Sequence, residues 1–211
     1  MKINDEKLVY WLGFFWADGH IRKHGRKHAI SMEIQEGDAK ILETVFNLAV
    51  SPKQSTRTRE GRLPTVCFRM SDKALGLFLE GNDYLEKSRE EPSKILRLIP
   101  EKLHYFWWRG FFDGDGCISF GRKSRYKSLS ISGRYDYEWK EFSNLLNKLK
   151  IKFKIRRSIG KTGRNSKVEI FRYEDIDKFF SFIYKNRVFD FGLRRKFEKF
   201  LELKNRQVDC F

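Results

Sequence analysis

The nonapeptide WLGFFWADG at residues 11–19 returns as WRGFFDGDG at residues 108–116, and this recurrence constrains the fold more than any other feature of the chain. Both copies carry an aromatic apolar stretch, a glycine (Gly13, Gly110), a small residue four places on (Ala17, Gly114) and a terminal Asp-Gly (Asp18-Gly19, Asp115-Gly116). Repetition of a whole motif about half a chain length later marks two related halves.

Each copy reads as a helix. Asn4 or Asp5 suits the cap of the first, Pro100 with Glu101 suits the opening turn of the second, and Gly19 and Gly116 are expected to end them in the left-handed conformation. The segments 9–17 and 105–112 are apolar on nearly every side, which predicts helices buried all round. Gly13 with Ala17, and Gly110 with Gly114, give each helix a flat i,i+4 strip, so the simplest packing sets one motif helix against the other along that seam. Such a packing places Asp18 and Asp115 at negative helix ends, where a carboxylate is disfavoured. A hard divalent cation relieves that repulsion, and aspartate oxygens with free terminal carbonyls suit Mg²⁺. A single Asp-Gly would be an ordinary helix exit; two at matched positions point to a site.

These residues resemble the two signature motifs of the single-chain LAGLIDADG homing endonucleases, and the resemblance extends over almost the whole chain. FFDGDGCIS around the second motif is the closer match; the first departs at Trp16, where an acidic residue is frequent in that family. The resemblance implies an α+β protein of two pseudo-symmetric αββαββα halves, packed through their motif helices and forming a saddle-shaped antiparallel-sheet surface for DNA. It implies metal binding by Asp18 and Asp115 at the scissile phosphates, with the carbonyls of Ala17 and Gly114 as further ligands. It also implies a basic residue near the active site after each half, here Lys87 in LEKS and Lys196 in LRRK, with Arg195 as the other candidate for the second.

Composition points to a polyanionic partner without the resemblance. A formal charge of +16 favours nucleic acid over small neutral substrates, and the chain has neither a long basic amphipathic helix nor an anchor for a membrane. Cys67, Cys117 and Cys210 fit neither a zinc site nor a disulfide framework. With no signal-peptide pattern, they predict a soluble intracellular protein, whether of cytoplasm, nucleoid or organelle matrix.

After each motif the order strand, helix, strand, helix repeats. Ile30, Met32 and Ile34 alternate, a helix is expected over 38–49, Val66, Phe68 and Met70 alternate again, and a helix is expected over 72–79. The second half matches it with Leu129 and Ile131, a helix over 137–149, Val168 and Ile170, and a helix over 174–185. The expected division is 1–80 for the first half, a charged linker at 81–99, and 100–211 for the second half.

Positive charge gathers in four hairpins: Arg22, Lys23, Arg26 and Lys27; Arg57, Arg59 and Arg62; Arg122, Lys123, Arg125 and Lys127; Arg156, Arg157, Lys161 and Arg164. A two-stranded ribbon fits the major groove, so these ribbons are candidate DNA-binding elements. Strand parity puts Ser31, Glu33 and Gln35 opposite the apolar face of the first half, and Ser128, Ser130 and Ser132 opposite that of the second, as base readers. Arg22, Arg57, Arg59, Lys123, Arg125, Lys154 and Arg156 suit either base or phosphate. His20, His24 and His28 have helical spacing, but Gly25 and the basic hairpin argue against a helical zinc stripe.

The sequence therefore predicts a monomeric site-specific DNA endonuclease of the intron- or intein-homing type, cutting a long non-palindromic duplex. Mg²⁺ is the expected cofactor, with Mn²⁺ as substitute and Ca²⁺ supporting binding without cleavage. The resemblance implies short 3′ overhangs. The alternatives are an RNA-splicing maturase, with RNA as partner, and a non-cleaving DNA-binding regulator of the same fold.

Overall fold

A computed structural model describes residues 3–39, 53–61, 63–121, 126–134, 136–160, 163–185 and 191–208. The chain forms two compact units, Met1–Lys87 with Pro92–Gly114, and Ser88–Glu91 with Asp115–Phe211. The first motif helix falls wholly in the first unit, and the second does so up to Gly114, its last residue Asp115 belonging to the second unit. The expected helix over 38–49 lies outside the described residues apart from a turn at 36–39.

The first unit opens with α1 (Glu6–Asp18), capped by Asp5, whose Oδ1 accepts from the Leu8 amide at 2.8 Å. The second motif is α4 (His104–Asp115), entered through a 3₁₀ turn at Glu101–Leu103. Their backbones touch. A Cβ added at Gly13 would lie 1.9 Å from the Trp107 carbonyl oxygen, and one at Gly110 would lie 2.1 Å from that of Tyr10. Tyr10 and Trp107 hold the same place in the two motifs, so the contact is made twice, once from each side.

The two crossings differ in chemistry. Tyr10 Oη donates to Asp113 Oδ2 at 2.8 Å, and both residues are buried. Where that pair recurs with roles exchanged, Trp107 meets Trp16, ring centroids 6.1 Å apart. Trp16 also stands edge-on to Tyr84. Its departure from an acidic residue thus replaces a buried hydrogen-bonded pair by an aromatic contact, and avoids a second buried carboxylate.

Gly19 is not a left-handed stop: it has φ −71° and ψ 153° and begins β1 (Gly19–His24) directly. Gly116 likewise begins β5 (Gly116–Phe120) without a positive φ. Glycine is needed at 19 for close approach, since a Cβ there would lie 2.3 Å from the Phe15 ring. β1 pairs with β2 (Lys27–Gln35) across a tight turn in which Gly25 takes φ +59°. With β3 (Lys53–Arg57) and β4 (Thr65–Met70) they form an antiparallel sheet of order β1-β2-β4-β3. Helix α2 (Lys73–Gly81) lies on β2, with Gly76 against the His28 ring and Glu80 accepting from both His28 and Lys23.

The segment 81–99, expected as a charged linker, is exposed over much of its length but sends apolar anchors into the core. Tyr84 is buried and donates to the Leu12 carbonyl at 3.0 Å, and α3 (Ser93–Leu98) buries Ile95 and Leu96. Apolar docking outweighs the charge of its neighbours.

The second unit holds β5 (Gly116–Phe120), β6 (Lys127–Arg134), β7 (Lys154–Gly160) and β8 (Gly163–Ile170), ordered β5-β6-β8-β7. Helix α5 (Lys140–Lys148) starts later than the pattern predicts because Trp139 takes φ +62°. Its indole is an anchor to the sheet: Nε1 donates to Ser166 Oγ at 2.8 Å, and a Cβ on Gly133 would meet its ring at 2.7 Å. The cap comes from a distance, Glu91 accepting the Lys140 and Glu141 amides at 3.1 Å each. Helix α6 (Tyr173–Ile183) covers the sheet, and α7 (Arg194–Val208), unanticipated in the sequence reading, buries Phe197, Phe200 and Leu203. No described helix is long and apolar enough to cross a membrane.

Candidate active site and nucleic-acid interface

Asp18 and Asp115 are exposed at the last positions of α1 and α4. In the first unit the end of α1 lies against Gly114, where an added Cβ would be 2.3 Å from that of Ala17 and 3.4 Å from Asp18 Oδ2. Gly114 therefore lets the ends of the two motif helices meet. Among the described residues no group of three or more His, Cys, Asp or Glu gathers as a metal cage. Exposed aspartate oxygens are hard ligands that suit a divalent cation whose shell is completed by water and substrate phosphate.

The negative end of α1 is already met by a cation of the chain itself. Lys87 Nζ donates to the carbonyls of Trp16 at 2.7 Å, Ala17 at 2.6 Å and Phe15 at 3.3 Å. Lys196, only 7% exposed, donates to the Gly116 carbonyl at 2.7 Å in the second unit. Each lysine thus holds the carbonyl of a residue adjacent to a motif aspartate. The electrostatic cost of the aspartates, taken in the sequence as a demand for metal, is partly relieved by these ammonium groups, and the Ala17 carbonyl, expected as a metal ligand, accepts from one of them.

His20 is a polar group at this exit that the sequence reading set aside. It follows Asp18 by two residues, and its Nε2 accepts from Arg22 Nε at 2.8 Å. Partial burial, then the charges of Arg22 and Lys87, hold its pKa below the ordinary histidine value. The Arg22 contact needs an unprotonated Nε2, and protonation of the ring would break it. NMR titration should place its midpoint below that of an exposed histidine; Arg22→Ala should raise it part of the way, and an unshifted midpoint in the native protein would contradict this arrangement.

The outer sheet faces carry the polar residues. Ser31 and Glu33 are half-buried and Gln35 is exposed, opposite buried Ile30, Met32 and Ile34. Arg22, Lys23, Arg26, Lys27, Arg57, Arg59, Lys154, Arg156 and Arg164 are exposed. Ser130 and Lys127 are half-buried, with the Lys127 ammonium over the Tyr173 ring at 5.7 Å. Ser128 is not open for reading: it is 3% exposed and hydrogen-bonded to the Tyr126 hydroxyl at 3.0 Å. Lys123 and Arg125, with Arg122, Arg62 and Lys161, lie outside the described residues.

Among the described residues, the outer face of each sheet also carries an acid. Glu33 accepts from Thr65 Oγ1 at 2.8 Å and pairs with Arg57 at 3.1 Å and Arg59 at 3.2 Å. The Thr65 hydroxyl, then the two guanidiniums, hold its carboxyl below the ordinary glutamate range. Glu169, a site the sequence reading missed, is 2% exposed and pairs with Arg156 at 2.7 Å and Lys167 at 2.6 Å.

Residues 105–184 match the model of the LAGLIDADG-like domain. The chain has the LAGLIDADG fold. Solved structures of that fold align with both units: the meganuclease I-SmaMI bound to uncleaveable DNA at 16% identity, covering 98% of this chain and 93% of that one with a TM-score of 0.62. The LAGLIDADG homing endonuclease I-GzeII in complex with its DNA target aligns at 12% identity, 97% and 91% coverage and a TM-score of 0.60. I-DmoI in complex with DNA and Mn aligns at 16% identity, 85% and 97% coverage and a TM-score of 0.58. No curated protein sequence matches the chain. The two four-stranded antiparallel sheets and the paired motif helices are thus elements of the LAGLIDADG architecture, with the family-model match on the second motif and the elements that follow it.

Proposed function

We propose that this LAGLIDADG-fold protein is a site-specific DNA endonuclease that makes a metal-dependent, staggered double-strand break in a long non-palindromic duplex. The observation that carries the reading is the pair of exposed aspartates ending two helices whose backbones meet at glycine. Both carboxylates are exposed to solvent rather than packed in the core. The proposal assigns metal binding to Asp18 and Asp115, with Mg²⁺ as the working ion; among solved structures of this fold, one is a complex with DNA and Mn and another is bound to uncleaved DNA in the presence of calcium ions. When bound, a divalent ion polarises phosphate oxygens and acidifies water.

The residues of the chain do the rest. Lys87 and Lys196, fixed on the carbonyls at the two motif exits, keep those exits in place and set positive charge where a phosphorane would gain negative charge. Neutral His20 can take a proton beside Asp18. Arg22, Arg57, Arg156 and the other exposed cations bind duplex phosphate or bases, and two unlike sheets suit an asymmetric site.

Equilibrium binding against salt tests the partner. Affinity for duplex DNA should fall steeply with ionic strength, with a slope near 0.9 per phosphate neutralised, and Arg22→Ala with Lys27→Ala should flatten it. Equal affinity for structured RNA, with no preference for duplex DNA, would favour splicing activity over cleavage.

A further inference from the structure

The registers of the two sheets align the acids on their outer faces. In the first, Glu33 on β2 faces Cys67 on β4, and Ser55 on β3 faces Cys67 from the other side. In the second, Ser130 on β6 faces Glu169 on β8, and Lys154 on β7 faces Glu169 from the other side. The same cross-strand position therefore holds one glutamate and one small residue in each sheet, with the two exchanged between strands. Arg57 lies two residues beyond Ser55, and Arg156 two beyond Lys154, so these arginines occupy equivalent places. Each is paired with the glutamate of its sheet, wherever that glutamate sits.

A carboxylate on a face that binds a polyanion weakens that binding, so solubility or simple adhesion would be better served by glutamine. What a carboxylate supplies is orientation. It takes a long, mobile guanidinium out of its many rotamers and directs it. The Arg156 contact uses Nε, and Phe171 supports the guanidinium from 5.3 Å, which leaves the planar fork as the presenting end. A phosphate clamp needs no such restraint, because a mobile arginine finds phosphate; a bidentate guanine contact does.

We propose that Glu33 and Glu169 are positioning residues that hold Arg57 and Arg156 as readers of guanine in the major groove. The inference rests on the DNA-binding reading above and adds the base class and the two positions read. Each carboxylate removes one unit of positive charge that would otherwise bind any sequence, and so exchanges non-specific affinity for discrimination.

The test is selection from a pool of randomised duplexes, bound in Ca²⁺ and sequenced, beside the affinity for one unselected duplex. Native protein should enrich a motif with guanine at two separated positions. Glu33→Gln should erase the preference at one of them and Glu169→Gln at the other. Each variant should bind the unselected duplex roughly three- to tenfold more tightly at low salt, with a slope steeper by about 0.9. Glu33→Ser with Cys67→Glu rebuilds in the first sheet the arrangement of the second and should restore the lost guanine; because Glu33 is half-exposed whereas Cys67 is buried, Glu33→Gln alone decides the matter if Glu169→Gln or the double variant does not fold. A motif that is the same in native protein and folded variants would overturn the inference alone. No motif from native protein would overturn the site-specific reading and the inference with it.

Discussion

Gly110→Ala is expected to destabilise the protein by about 3 kcal/mol or more, beyond the usual range for a single added methyl group. The new carbon would stand 2.1 Å from the Tyr10 carbonyl oxygen and 2.7 Å from the Phe14 nitrogen. Both are backbone atoms of α1, so no side chain can turn aside, and the motif helices must separate. Gly13→Ala should act alike, since its Cβ would meet the Trp107 carbonyl at 1.9 Å. In a chain of this size the loss corresponds to a fall in Tm of roughly 6–12 °C. Gly81→Ala is the control, because nothing lies within 4 Å of the added carbon. Equal melting of the seam variants and this control would show that the helices do not meet at these glycines.

Asp18→Asn and Asp115→Asn should each reduce double-strand cleavage by at least ~10²-fold and leave duplex affinity in Ca²⁺ within a few-fold of native. Each amide keeps the shape of the acid and loses the charge that attracts metal. Both residues are exposed, so their loss should cost little stability. Parallel melting and filter-binding measurements separate the possibilities. Lost affinity with intact melting would make the aspartates part of the duplex-binding surface, and lost melting would make them structural.

The parts of this fold legible in the sequence are those set by local pattern. The recurrence of Gly13 at Gly110 announced close helix packing, and alternation in Ile30–Ile34 and Leu129–Ile131 fixed which face each strand turns outward. What local pattern could not convey depends on partners distant in the chain. Trp139 continues a helical spacing yet takes a left-handed backbone, because Ser166 and Gly133 hold its indole. Tyr84 and Lys87 sit in a charged stretch that reads as linker, and their destination is the carbonyls of α1, some 70 residues away. The α7 pattern, Phe197, Phe200 and Leu203, was present but broken by the basic run that contains buried Lys196. Glu169 lies between Val168 and Ile170 with nothing local to set it apart, and its neighbours Ser130 and Lys154 come from the cross-strand register.

The most direct measurement is of DNA ends. Purified protein with Mg²⁺ and a randomised pool of closed circular duplexes should release linear molecules whose new ends share one long asymmetric sequence, cut on both strands with short 3′ overhangs. The Asp18→Asn, Asp115→Asn double variant should release none while still retaining the same sequence in Ca²⁺. Ends that share no sequence, or ends produced equally by the double variant, would contradict site-specific cleavage by the two motif aspartates.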